Sequence, residues 1–193
     1  MAPGIELIAG LGNPGSKYEK NRHNVGFWFI DALAQSKGVK LKHENKFNGE
    51  VGKADIAGTS VWLLKPTTFM NNSGQAVAAL AKFYKIPPEK ILVVYDDLDL
   101  PPAALRLKQD GGHGGHNGMR DIIAHLGSKT FVRLRIGIGH PGNSSEVTNY
   151  VLGNPPSSER IELENAVDEA LRNLPQIIQG ELQKAMQHLH SQS

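Results

Sequence analysis

Hydrophobic and polar positions change period several times along the chain, and each change marks a predicted element. IELIAGL (5–11) is a short apolar run closed by glycines, which reads as a buried strand. From Asn24 onward, Val25, Trp28, Phe29 and Leu33 recur at helical spacing and predict a helix ending near Gly38. Residues 49–65 read as a hairpin that turns at Gly58 and is stopped by Pro66. SGQAVAALAKFYK (73–85) predicts an amphipathic helix closed by Pro87-Pro88, and ILVVYDDLD (91–99) a strand running into carboxylates. ALRLK (104–108) and FVRLRIGIG (131–139) alternate as strands do; between them Met119, Ile122, Ile123 and Leu126 stripe a helix over 118–127. Beyond Pro155-Pro156, Leu163, Val167, Ala170, Leu171 and Leu174 predict another helix. Ile178, Leu182, Met186 and Leu189 predict a last one, hinged at Pro175. Strands alternating with helices imply one α/β domain over 1–193, a three-layer sandwich whose mixed, twisted sheet is flanked by helices.

Composition then removes several chemistries. The chain has 193 residues and no cysteine, so disulfides, thiolate nucleophiles and Cys-based metal sites are excluded. No apolar run reaches the roughly 18 residues of a transmembrane helix, and the start lacks the pattern of a secretory signal. A soluble globular protein is expected. There is no Walker A sequence and no G-x-S-x-G elbow, which leaves P-loop phosphoryl transfer and acyl-serine chemistry unsupported. The net charge of +2 conceals a gradient: residues 1–154 carry +5 and residues 155–193 carry −3. A mildly basic body is compatible with a polyanionic partner.

Gly10-Leu11-Gly12-Asn13-Pro14-Gly15 follows a predicted strand and fits the dinucleotide pattern G-x-G-x-x-G. Its surroundings do not fit. Pro14 interrupts the turn, no apolar stripe follows for a turn or more, and Asp31, the acid about twenty residues on, lies inside the predicted helix. A better reading is a strand-to-loop turn presenting Asn13.

Polar residues gather wherever strands are predicted to end: Asn13, His23, Asn71, Asp96 and Asn117. Clefts of open α/β sheets form at those ends, so the set can converge. An imidazole can take a proton from water, a carboxylate behind it fixes the tautomer, and amides orient water or meet an oxyanion. Singly, each has a blander role: Asn24, Asn72 and Asn117 stand where helix N-caps belong, and Asp96, Asp97 and Asp99 could be a solvated turn or hard-cation ligands. In GGHGGHNG (111–118), His113 and His116 are three apart, but without Cys or H-E-x-x-H a metal pair is disfavoured. The glycines suit a flexible flap with Asn117 capping the next helix. Arg106 and Lys108 share one strand face, as do Arg133 and Arg135, two stripes able to flank a phosphate or to remain as exposed charge.

GLGNPGSKYEKNRHNVGFWFID (10–31), KPTTFMNNSG (65–74), DDLDLP (96–101), GGHGGHNGMRDI (111–122), RLRIGIGHPG (133–142) and YVLGNPP (150–156) together resemble the bacterial-type peptidyl-tRNA hydrolases. The likeness spans nearly the whole chain. It implies a cytosolic monomer without cofactor or metal that hydrolyses the ester joining a peptide to the 3′-terminal ribose of tRNA. It further implies His23 as general base, Asp96 holding its basic form, and Asn71 positioning substrate and water. Asn13 would contact peptide backbone and reject unblocked aminoacyl-tRNA. Tyr18, Phe69 and Asn117 would line the tRNA side, and Lys108 and Arg135 would clamp the 5′-phosphate. Gln109-Asp110 departs from the family pattern beside that clamp. Two rivals remain at this level: a non-catalytic tRNA-binding module and a dinucleotide-dependent oxidoreductase.

Overall fold

The computed structural model describes residues 4–191. Seven strands form one sheet: β1 (Leu7–Gly10), β2 (Lys42–Glu44), β3 (Gly49–Ile56), β4 (Thr59–Pro66), β5 (Ile91–Asp97), β6 (Leu105–Gln109) and β7 (Val132–Gly137). The helices are α1 (Val25–Ser36), α2 (Ser73–Phe83), α3 (Asn117–Leu126), α4 (Val147–Val151), α5 (Ser157–Ile178) and α6 (Leu182–Ser191). The strand order is β2-β3-β4-β1-β5-β7-β6. β1 is parallel to both β4 and β5, β5 is parallel to β7, and both edges are antiparallel. The mixed three-layer α/β sandwich expected from the alternation is what forms.

Two cores explain the layers. One face of the sheet packs against α1, α5 and α6 through residues such as Ile8, Val94, Phe29, Leu163 and Leu189. The other packs against α2 and α3 through Leu7, Val93, Val77, Met119 and Ile122. Leu7 and Ile8, or Val93 and Val94, go to opposite cores because successive strand side chains alternate. The central strands are buried on both faces, which is why they read as unbroken apolar runs. The chain leaves β1 towards α1 on one face and leaves β4 towards α2 on the other. The carboxyl ends of the central strands are thereby left open between the layers, where α/β sheets place their ligands.

The sequence reading differs from the structure in three places. Pro175 does not hinge the last two helices: α5 runs through it to Ile178, and the break falls at Gly180, whose φ is +81°. Leu174, Ile177 and Ile178 are all buried, so the core stripe holds the last turn despite the missing proline N–H. β2 and α4 carry too few residues for a period to show, and neither was predicted.

The glycine motif is explained by packing. A Cβ on Gly10 would lie 2.3 Å from the carbonyl oxygen of Gly26, and one on Gly12 would enter the Phe27 ring. Gly26 in turn approaches Leu11 N and Val94 O within 2.5 Å of where its Cβ would stand. These glycines let α1 lie directly on β1 and β5 and leave no phosphate cradle. Gly26→Ala is therefore expected to lower stability by about 1–3 kcal/mol through overpacking. The check is a lower urea midpoint with an unchanged slope; an unchanged midpoint would show that α1 shifts without cost.

Candidate active site

A cleft of about 670 Å³ opens at the carboxyl ends of the strands. Asn13, His23, Phe69, Asn71, Asp96, Lys108, Asn117 and Arg135, drawn from separate stretches of the sequence, all line it. Tyr18 does not line the cleft; its ring meets Phe69 edge-on, with centroids 6.3 Å apart, at the rim.

His23 sits in a 3₁₀ turn, Arg22–Asn24, that leads into α1. With three residues per turn, successive side chains splay about 120° apart, and here they go three separate ways. Arg22 turns inward, lies over the Tyr150 ring and pairs with Glu159 at 3.2 Å. Asn24 reaches Asn13, and His23 faces the cleft floor. Nδ1 of His23 is 2.7 Å from Oδ2 of Asp96. Asp96 is the last residue but one of β5 and is only 2% exposed. Alternation sends Asp97 to the other face, where its Oδ2 accepts from Arg135 Nε at 2.7 Å.

The second oxygen of Asp96 is also used: Oδ1 lies 2.8 Å from Nε2 of His116, reached from the α3 side. Two imidazoles thus grip one buried carboxylate from opposite layers. Burial pushes the Asp96 carboxyl up, but His23 and His116, by charge and hydrogen bond, hold it well below the usual carboxylate range. Burial pushes the His23 imidazole down, while the Asp96 charge and hydrogen bond push it up. The carboxylate wins, leaving His23 above its ordinary 6.5. An ionised Asp96 must accept from Nδ1–H, so neutral His23 carries its lone pair on Nε2, across the ring. The His23, Asp96 and His116 donor atoms lie within 4.8 Å of one another, and they are the group among the described residues that could hold a metal ion. Both carboxylate oxygens already receive imidazole N–H groups, so the trio is a closed hydrogen-bonded chain.

The amides do two jobs. The Asn13 N–H donates to Asn24 Oδ1 at 2.8 Å, and Asn24 Nδ2 donates to Asn13 O at 2.9 Å. Asn13 Oδ1 accepts from the Met70 N–H at 2.7 Å. Nδ2 of Asn13 has no protein partner among the described residues. Met70 follows Phe69, whose backbone (φ 63°, ψ 155°) occupies a region that non-glycine residues rarely adopt. Asn13 therefore ties down a strained loop that holds Phe69 52% exposed at the cleft. Asn71, next along, lies exposed in the cleft.

Three capping expectations are corrected. Neither Asn24 nor Asn72 caps its helix with its side chain. Asn24 is spent on Asn13, and the Gly74 N–H of α2 is met instead by Asp121 of α3 at 2.7 Å. Asn117 is the first residue of α3, and the cap is His116, whose Nδ1 accepts from Met119 N at 3.2 Å. No local feature of GGHGGHNG distinguishes His116 from Asn117 as that cap.

The basic stripes merge into one. Arg106 faces Arg135 and Lys108 faces Arg133 across the β6–β7 pair. Arg133 is buried and donates through Nη1 and Nη2 to the carbonyls of Gly111, Gly112 and Lys129, so it anchors the glycine loop. Lys108 and Arg135 remain at the cleft wall.

The family described as Peptidyl-tRNA hydrolase matches residues 7–193. The peptidyl-tRNA hydrolase of Coxiella burnetii (strain CbuG_Q212) is 56% identical over 191 residues, 99% of this chain and 100% of that protein. That of Neisseria meningitidis serogroup A (strain Z2491) is 52% identical over the same shares. The crystal structure of peptidyl-tRNA hydrolase from Acinetobacter baumannii superposes with a TM-score of 0.95 at 49% identity, covering 99% of this chain and 97% of that one. With motifs, fold and full-length identity in agreement, the chain belongs to the peptidyl-tRNA hydrolase family.

Proposed function

We propose that this chain, as one catalytic domain, hydrolyses the ester between a peptide and the 3′-terminal ribose of tRNA by water attack, with His23 as the general base. The 2.7 Å bond from His23 Nδ1 to Asp96 carries the reading, because it leaves Nε2 unprotonated for the cleft. Water loses a proton to Nε2 while its oxygen attacks the ester carbonyl carbon. The tetrahedral oxyanion collapses with cleavage of the bond to the ribose oxygen, which takes the proton back from the His23 imidazolium. Peptide acid and tRNA leave, and His23 is neutral again. Asp96 stabilises the imidazolium without itself being protonated. An ester leaves far more readily than an amide, so one activated water suffices without a nucleophilic side chain.

Asn71 orients the substrate and donates to the oxyanion. The Nδ2 of Asn13 meets a backbone carbonyl of the peptide, a contact indifferent to side chains and suited to selecting blocked over unblocked aminoacyl ends. Phe69, with Tyr18 behind it, and Asn117 receive the terminal nucleotides; Lys108 and Arg135 face the 5′-phosphate. Among the described residues no helix is long and apolar enough to cross a membrane. We read the enzyme as a cytoplasmic monomer that needs no cofactor.

Three outcomes follow from this reading. His23→Ala should cost at least the ~10²–10⁴-fold of general-base catalysis on an N-blocked aminoacyl-tRNA, with the unfolding midpoint kept; near-normal turnover removes His23 from the role. In single-turnover measurements the rate should climb as pH passes through a His23 pKa above 6.5. Because the Asp96 charge raises that pKa, Asp96→Asn should move the climb to lower pH as well as slow the reaction. A profile left in place would contradict the pairing. Lys108→Ala and Arg135→Ala should raise KM for whole tRNA substrates and flatten its salt dependence while sparing minimal esters; equal losses on both substrates would refute a phosphate contact.

A further inference from the structure

We propose that His116 is a positioning residue for the hydrolysis: it fixes Asp96 behind His23 and makes that alignment depend on the seating of the glycine loop. The proposal rests on the His23–Asp96 reading above and goes beyond it.

Two contacts of one imidazole carry it. Nδ1 of His116 accepts the Met119 N–H at the start of α3, so its lone pair must be there. Nε2 is then the protonated nitrogen, and it points at Oδ1 of Asp96, 2.8 Å away. The cap therefore determines which tautomer His116 adopts, and the tautomer determines that it donates to the carboxylate. Asp96 receives one N–H on each oxygen, from His23 on Oδ2 and His116 on Oδ1, which holds its plane against rotation. The His116 ring is itself wedged, edge-on to Tyr95 at 5.0 Å and tilted against His23 at 5.1 Å.

The same residue ends the glycine loop. Arg133 pins the loop's start by donating to Gly111 and Gly112, and the His116 N–H closes its end on the His113 carbonyl at 3.0 Å. Gly114 and Gly115 between these anchors are exposed, and no neighbour would touch a Cβ on either. A ligand that presses or lifts the loop acts on His116 and, through it, on the orientation of Asp96.

Other titratable groups stand near these two contacts, Asp99 among them on the cleft wall. Tyr95 is buried, which pushes its phenol up to about 12. Asp97 is paired with Arg135, Arg133 is spent on loop carbonyls, and Lys108 and His113 stand on the cleft wall, where His113 Nδ1 accepts from Gly115 N. None of them offers a second donor to Asp96 among the described residues.

His116→Leu keeps bulk but removes both contacts, whereas His116→Gln keeps an amide donor. Leu should lower kcat about tenfold to a hundredfold, by analogy with the loss on removing an outer partner of a metal-bound histidine, with KM little changed. It should also move the acid limb of the pH profile upward, because Asp96 then gives its charge to His23 alone. Gln should recover part of both effects. An NMR measurement of the imidazole ¹⁵N shifts in the unaltered enzyme should show His116 protonated on Nε2 and bare on Nδ1. Unchanged kcat and limb in His116→Leu, or an Nδ1–H tautomer, overturns the proposal. Should the unaltered enzyme show no acid limb, and His23→Ala no loss, the failure belongs to the general-base reading, while the tautomer still tests the contact.

Discussion

A carboxylate buried at a strand end is costly unless every acceptor it carries is met. Stripping a carboxylate of water costs several kcal/mol even after the protein relaxes. At Asp96 that cost is offset by two imidazole N–H groups, one on each oxygen. The requirement shapes much of the molecule. β5 must end where it does to put Asp96 between the helical layers. α1 must lie close enough to β5 to bring His23 within reach, and α3 must begin where His116 can face back. The glycine contacts between β1 and α1 serve this closeness as much as they serve packing.

The asparagines follow the same logic. Amides at strand ends are cheap ways to satisfy backbone groups that no ladder reaches, and Asn13 and Asn24 do so for one another and for Met70. Asn13 uses its oxygen and both backbone groups on the protein, so only one kind of atom, its Nδ2, is left for a ligand. The strain at Phe69 has a similar source: the Met70 N–H is held from outside by Asn13, and the loop accepts an unfavourable backbone conformation to keep that bond.

Much of this was legible in the residues. Long elements with a clear period, such as the 25–36 helix, the 49–66 hairpin and the striped 163–174 segment, formed within a few residues of expectation because burial on one face dictates the pattern. The convergence of His23, Asp96, Asn13, Asn71 and Asn117 was inferred only from their placement at strand ends, and the open sheet supplies the geometry. What could not be read were partners across the fold. Capping rules assign Asn24 and Asn117 to their own helices, and nothing local shows that Asn13 competes for the first or that a histidine is the better acceptor for the second. His116 looked like half of a metal pair because sequence spacing relates it to His113, whereas space relates it to Asp96. Proline rules similarly misplace the hinge at 175, since they count backbone cost and not the three buried side chains that outweigh it.

The cations on the outer sheet obey the constraint seen at Asp96, with the sign reversed. Four basic side chains share the face of β6 and β7, with like charges directly opposite, an arrangement that costs stability in a sheet. The structure relieves the crowding unequally. Arg133 is buried and hydrogen-bonded to three carbonyls, and Arg135 pairs with Asp97. Lys108, exposed and without an ion pair among the described residues, keeps its charge for solvent or ligand. A phosphate arriving at this wall meets Lys108 directly, but must share Arg135 with a carboxylate already in place. The attraction is therefore weaker than four basic residues suggest, and that suits an enzyme that must let go of one polyanion before it can take the next.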